Sequence, residues 1–214
     1  MSKKLFITFD DGPKKVTSEI LDILKKKACP STFFLTGSGV AGIGEKLQRE
    51  LCNRILGEGH VSSNHCYNHF PAKLADYKST YGDLNTPLQK SSFKKNIDDN
   101  IAHFRTLLSK PSFAMPLVRL PGDGRFHKPS VDEVGALGHR HIAWDYEFAP
   151  NGALGHIKES DWQGIKGVAC TFKALPPANS VVLVHDAHWA GKMALLEALL
   201  QKFIDEGYSF GGVV

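Results

Sequence analysis

Short apolar runs alternate with amphipathic stretches along this chain, and that alternation limits the fold more than any other feature. Residues 5–9 read as a buried strand, and residues 17–27 as a helix with Ile20, Leu21, Ile23 and Leu24 on one face. Residues 31–35 are a second strand, rich in aromatic and β-prone residues. A helix over 45–56 stops at Gly57-Glu58-Gly59, and residues 60–63 form a third strand. The pattern continues with a helix over 93–108, a strand over 114–120, a short helix over 131–137 and a strand over 140–144. Residues 162–172 read as helical, 180–185 as an apolar strand, 193–204 as a strong amphipathic helix and 208–213 as a last strand. Strands that alternate with helices predict a mostly parallel sheet or barrel with the helices outside. Residues 70–92, with two prolines and a glycine, read as a long irregular loop leaving the third strand and bordering whatever site lies there.

Polar, titratable residues gather just after the strands. Asp10 and Asp11 follow the first, in Thr8-Phe9-Asp10-Asp11-Gly12-Pro13, and His65 and His69 follow the third, in Asn64-His65-Cys66-Tyr67-Asn68-His69. Arg119 ends the fourth, Asp145 follows the fifth and His185 ends the sixth. In parallel α/β barrels that end of the strands carries the active site. Two adjacent carboxylates facing one pocket repel each other and call for a cation. Histidines four apart on a helical turn share a face, and with one aspartate they make a facial metal site with open positions. Alone, Asp-Asp-Gly-Pro also fits a solvated turn, and His-x-x-x-His also fits a helix surface.

Together the two motifs resemble the polysaccharide deacetylases of the NodB-homology type, carbohydrate esterase family 4. That family carries T-F-D-D-G-P, then N-H-x-x-x-H, then three weaker motifs. Leu183-Val184-His185 matches its L-x-H, and Asp161-Trp162 matches the end of its fourth motif. Arg119-Leu120-Pro121-Gly122 departs from the third, with glycine where the family has an aromatic residue. The resemblance implies one deacetylase domain over residues 1–214, folded as a distorted (β/α)7 barrel. It implies a hydrolase that removes N-acetyl groups from N-acetylated amino sugars or their polymers. Asp11, His65 and His69 would hold a divalent metal, zinc first, with cobalt, nickel, manganese or iron as alternatives. Asp10 would be the general base, oriented by Arg119, and His185 the general acid, oriented by Asp161, with Asp145 a rival on position. Pro121, Gly122, Trp162 and Leu183 would contact the substrate or its oxyanion, Gly122 through its N–H. Hydrolysis of a small non-sugar amide and carbohydrate binding with weak catalysis are the competing readings.

Composition sets the remaining limits. The 214 residues suffice for one sizeable core. A net charge of +4 without a dense basic, aromatic-interleaved stripe argues against a nucleic-acid partner. No apolar run approaches the roughly 20 residues of a membrane span. With Met1 so close to the first strand, the chain as written reads as cytoplasmic, or as secreted once a leader has been removed. Four cysteines without paired spacing predict buried thiols. Oligomeric state has no signature in the sequence.

Overall fold

The computed structural model describes residues 3–37, 42–157 and 161–214. Among the described residues, nine strands and six α-helices follow one another as β1 (Lys3–Gly12), α1 (Thr17–Lys26), β2 (Thr32–Leu35), α2 (Glu45–Gly57), β3 (Val61–Asn64), α3 (Leu74–Tyr81) and α4 (Pro87–Leu108), then β4 (Leu117–Val118), α5 (Lys128–Ala136), β5 (Arg140–His141), β6 (Tyr146–Pro150), β7 (Val168–Cys170), β8 (Val181–His185), α6 (Met193–Asp205) and β9 (Tyr208–Phe210). The sheet runs β5-β4-β3-β2-β1-β8-β6-β7, and β9 adds to the start of β1. Every neighbouring pair from β5 to β6 is parallel, and only β7 joins antiparallel. The seven strands from β5 to β6 in this order are parallel and, with the outer helices, form the distorted barrel that the resemblance implies. Among the described residues no ladder joins β5 to β6, so the barrel has a seam there.

Burial explains the strand order. Strands β1 and β2 sit at the centre, and Leu5, Ile7, Phe9, Phe33, Phe34 and Leu35 are all essentially inaccessible. Strands covered on both faces read as near-continuous apolar runs, which is why these two were plain in the sequence. Phe9 stacks on Phe33 at 4.9 Å between ring centroids. Helix α1 lays Ile20, Leu21, Ile23 and Leu24 on this layer, and α6 adds Leu196, Leu199, Leu200 and Phe203.

The structure corrects three local expectations. Residues 70–92 are not irregular. Tyr77 and Tyr81, one turn apart, are the buried residues of α3, and Thr86 and Gln89 form a reciprocal capping box that starts α4 at Pro87. This segment packs behind the Gly122 turn rather than over the site. Residues 162–172 are not helical, because Gly164 and Gly167 take φ of +87° and +86° and the Val168-Ala169-Cys170 run pairs with β6. Finally, residues 140–150 hold two strands. Asp145 lies between them, where its N–H donates to the Val181 carbonyl (2.9 Å) and its Oδ2 accepts from the Val181 N–H (2.8 Å).

The layer beneath the site is therefore its foundation. Truncating Phe33, at 0 % exposure, should lower unfolding free energy by about 3–5 kcal/mol. Urea denaturation of Phe33→Ala should show the midpoint falling with an unaltered slope.

Candidate active site

The register of the central strands brings the polar residues together. Asp10 of β1 pairs with His185 of β8, so the two lie side by side at the C-terminal end of the sheet. Asn64 ends β3 in register with Leu35 of β2 and Val118 of β4, which delivers His65 and Arg119 to the same end. A cavity of about 490 Å³ opens there. Asp10, Asp11, His65, His69, Gly122 and His185 are among the residues that line it.

Asp10 is 2 % exposed, and its Oδ1 accepts from Nη1 of Arg119 at 2.7 Å. Arg119 is itself fully buried, and burial lowers its pKa while Asp10 works against the shift. Three more of its five N–H donors meet the Thr8 hydroxyl (2.7 Å) and the carbonyls of Ile142 and Ala143 (both 3.1 Å). A buried guanidinium is tolerable only when paired and hydrogen-bonded in this way.

Asp11 turns away from the strand at φ +68°. Its Oδ1 lies 3.3 Å from His65 Nε2 and 3.0 Å from His69 Nε2. Burial opposes ionisation of Asp11, but the two imidazoles outweigh it and hold the carboxyl well below the usual carboxylate range. Burial likewise presses His65 down, yet Asp10 and Asp11 raise it overall. His65 Nδ1–H donates to the Arg119 carbonyl at 2.8 Å, which fixes the tautomer and leaves Nε2 facing Asp11.

The two histidines do not sit on a helical turn. Cys66 and His69 both take positive φ, +61° and +52°, and the loop is held from outside. Asn64 Oδ1 accepts from the Cys66 N–H, while Asn96 Oδ1 accepts from the Tyr67 N–H. The four-residue spacing works because this loop doubles back, not because of helical periodicity.

One oxygen and two imidazole nitrogens within 4.8 Å of one another can hold a metal ion. The donor set fits one. Asp11 Oδ1 is buried without a conventional hydrogen-bond donor, and donor spacings near 3 Å suit neighbouring ligands around an ion with bonds of about 2.1 Å.

His185 has a different carboxylate beside it from either expected one. Glu147 of β6, 4 % exposed, places Oε1 3.6 Å from His185 Nδ1, and its Oε2 lies 3.0 Å from His156 Nε2. The β6–β8 register, Glu147 beside Leu183, accounts for the reach. Asp161 is exposed, and its Oδ1 accepts from the Gly167 N–H at 2.9 Å, pinning the turn into β7. Asp145 binds the start of β8, the end of that strand away from His185. Trp162 is a core residue, edge-on to Phe148 at 4.7 Å, with its indole N–H on the Phe172 carbonyl. Leu183 lines the cavity, whereas Pro121 uses its carbonyl to accept from the Tyr77 hydroxyl. Gly122 lines the cavity at φ +51°, and a Cβ there would lie 2.0 Å from the Ala72 carbonyl oxygen. Glycine is thus the residue that the turn admits. Glu147, Arg125 and His156 were not legible in the sequence, since no motif marks them; only a correct β6 assignment would have pointed Glu147 at the site.

Behind the turn lies Asp186, fully buried. Its Oδ2 accepts from the Thr17 hydroxyl, and Thr17 Oγ1 accepts from the Lys14 N–H at 2.8 Å. Only a glycine at 12 clears this carboxylate, because a Cβ would lie 2.7 Å from Oδ2. The acid that follows His185 therefore braces the turn that follows Asp11. Burial raises its pKa to about 7; Thr17 opposes the rise, and Asp11 and Asp10 add to it.

Comparison with known proteins adds three findings. The polysaccharide deacetylase family model matches residues 1–142. The peptidoglycan-N-acetylglucosamine deacetylase of Listeria monocytogenes is 28 % identical over 212 residues, 98 % of this chain but 38 % of that protein. This chain thus spans well under half of that relative's length. A carbohydrate esterase of family 4 from Streptococcus mutans superposes with a TM-score of 0.70 at 21 % identity, covering 100 % of this chain and 87 % of that one.

The state of Asp186 gives a pH signature. Burial raises the Asp186 carboxyl to about 7 in the folded chain, whereas in the unfolded chain it has its ordinary value of 3.8. Its contribution is thus present below about pH 4 and is lost as pH rises to 7, by up to about 4 kcal/mol. In metal-free protein, Asp186→Asn should lose less stability than the parent between pH 4 and 7. Parallel stability curves would show that Asp186 ionises normally.

Proposed function

Because this chain belongs to the polysaccharide deacetylase family, we propose that its cavity hydrolyses the acetamide of an N-acetylated glycan, releasing acetate and a free amine. Residues 1–214 are read as one such domain. The supporting observation is the convergence, in one cavity, of a buried ion-paired carboxylate, a three-residue metal set and a histidine with its own carboxylate. Carbohydrate binding alone requires none of the three, and the peptidoglycan deacetylases among the relatives favour a glycan over a small amide.

Asp11, His65 and His69 would hold a divalent ion, zinc first. When bound, the ion supplies Lewis-acid polarisation of the acetyl carbonyl and a lowered pKa for water. Asp10 takes the proton of the attacking water. Arg119 aims that carboxylate through the hydrogen bond from Nη1 to Oδ1. The Gly122 N–H faces the oxygen that becomes negative, a role that needs no side chain. His185 donates a proton to the departing nitrogen as the C–N bond breaks, and Glu147 holds its ring from the other side. Base and acid flank the acetamide because β1 and β8 are adjacent and in register.

Acetate release from a panel of N-acetylated glycans tests the assignment; no release from any of them would overturn it. His69→Ala should lose bound metal and turnover together, as read by elemental analysis. Asp10→Asn should keep the metal and the fold while the rate falls by about 10²–10⁴. Loss of the metal in that variant would make Asp10 a ligand instead. His185→Ala should be far more damaging for an acetamide than for an activated acetate ester, whose leaving group needs no proton. Equal losses on both would remove His185 from the acid role.

A further inference from the structure

A second cavity, of about 850 Å³, lies against the first along the β5–β6 seam. The two share Arg125, Phe126, Trp144 and Thr171 as a common wall. Nothing in the proposed hydrolysis uses this space. Phe126 and Phe172, 60 % and 53 % exposed, are among the few large apolar side chains left in solvent, and both line it. Aromatic faces exposed together beside an active site mark a binding surface.

Arg125 gives that surface its chemistry. Its guanidinium lies over the Trp144 ring at 3.9 Å and the Phe126 ring at 4.6 Å, which fixes the plane of the fork. Nη1 donates to the Trp144 carbonyl at 3.2 Å, and Nε is buried with no acceptor. Among the described residues no carboxylate is ion-paired with it. The carboxylates that line the two cavities with it are engaged elsewhere: Asp145 at the Val181 N–H, Asp123 at the Leu74 N–H, Asp10 at Arg119, Asp11 at the two imidazoles and Glu147 beside His156 and His185. His141, on the same wall, adds no charge at neutral pH, since burial, reinforced by Arg119 and Arg125, lowers its pKa to about 4. The contrast with Arg119, which is ion-paired with Asp10 and has an acceptor at each of its three nitrogens, is direct. A planar, pre-oriented guanidinium with donors to spare is a carboxylate receptor.

We propose that the seam cavity binds a carboxylate-bearing unit of the substrate chain, adjacent to the sugar that is deacetylated, with Arg125 as the residue that reads the carboxylate. This rests on the deacetylase reading above and narrows its substrate to acidic glycans. A lactyl ether on a neighbouring sugar and a uronic acid share the required group. The aromatic walls take the apolar faces of the ring that carries it.

The test compares N-acetylated oligosaccharides that differ only in this group: a lactyl acid, its carboxamide, a uronic acid and a neutral N-acetylglucosamine oligomer of equal length. The intact protein should favour the acids over the carboxamide and neutral oligomer by about 10- to 100-fold in kcat/KM, mainly through KM. Arg125→Gln should collapse that ratio towards one, and Arg125→Lys should keep part of it. Preference for the lactyl acid alone or the uronic acid alone would identify the source of the carboxylate. Equal rates on acid and carboxamide by the parent protein, or an equal loss on both in Arg125→Gln, would overturn the proposal. Calorimetric binding of the acids and the carboxamide to Asp10→Asn gives a second reading that needs no turnover. If no glycan is hydrolysed, the deacetylase reading falls, while acid-selective binding that depends on Arg125 still supports the seam site and its absence overturns it.

Discussion

The buried pair of Arg119 and Asp10 is the interaction on which the rest of the structure depends. Removing a guanidinium from water is costly, and the cost is met here only because every arm of the fork finds an acceptor. Those acceptors lie on β1 and on the segment just beyond β5. These are far apart in the sheet order, and among the described residues no backbone ladder joins β5 to β6. The side chain thus spans the barrel interior and ties its centre to one lip of the seam. Its carbonyl meanwhile accepts from His65. One residue therefore aims the carboxylate proposed as base and sets the tautomer of an imidazole in the metal set. Losing the guanidinium would leave Asp10 buried and unpaired, so the same change would strike stability and chemistry together.

A second brace runs under the other half of the site. Asp186 follows His185 and reaches Thr17, and the glycine after Asp11 passes directly over it. The turn that carries two acidic side chains rests on a third carboxyl whose pKa burial raises to about 7. Were all three ionised within this small volume, mutual repulsion would oppose folding. Burial favours the neutral form of Asp186, Asp10 pairs with Arg119, and Asp11 is the carboxylate that faces the imidazoles. This division follows from burial and partners, not from residue type, since all three are aspartates.

Much of this was legible in the sequence, and the reason is specific. Strands β1, β2 and β8 are buried on both faces, so their apolar runs are unbroken, and the polar residue that ends each run is conspicuous. Asp10, Asp11 and His185 were visible for that reason, and His65 and His69 through their spacing. What was not legible came from short or interrupted elements. Strands β4 and β5 are two residues each, too short for periodicity to speak. β6 hides behind Asp145, whose polar side chain reads as a strand end but in fact clasps Val181. Glu147 was lost with β6. The Asp161-Trp162 pair shows the opposite error: a motif can be kept in letters while its aspartate pins a glycine turn and its tryptophan packs against Phe148.

The same reasoning explains why glycine stands at 122. The chain after His69 runs into α3, and the Ala72 carbonyl occupies the space where any Cβ at that turn would project. An aromatic side chain at 122 is sterically incompatible with this packing. The wall that such a residue would have supplied is provided from the other side of the cavity, where Arg125 is layered between Phe126 and Trp144. The change replaces an uncharged surface with one that carries a fixed cation, and it does so where the β5–β6 seam opens. A barrel sealed between β5 and β6 would have no second cavity for Arg125 to face, and a bulky residue at 122 would displace the segment that orders the first.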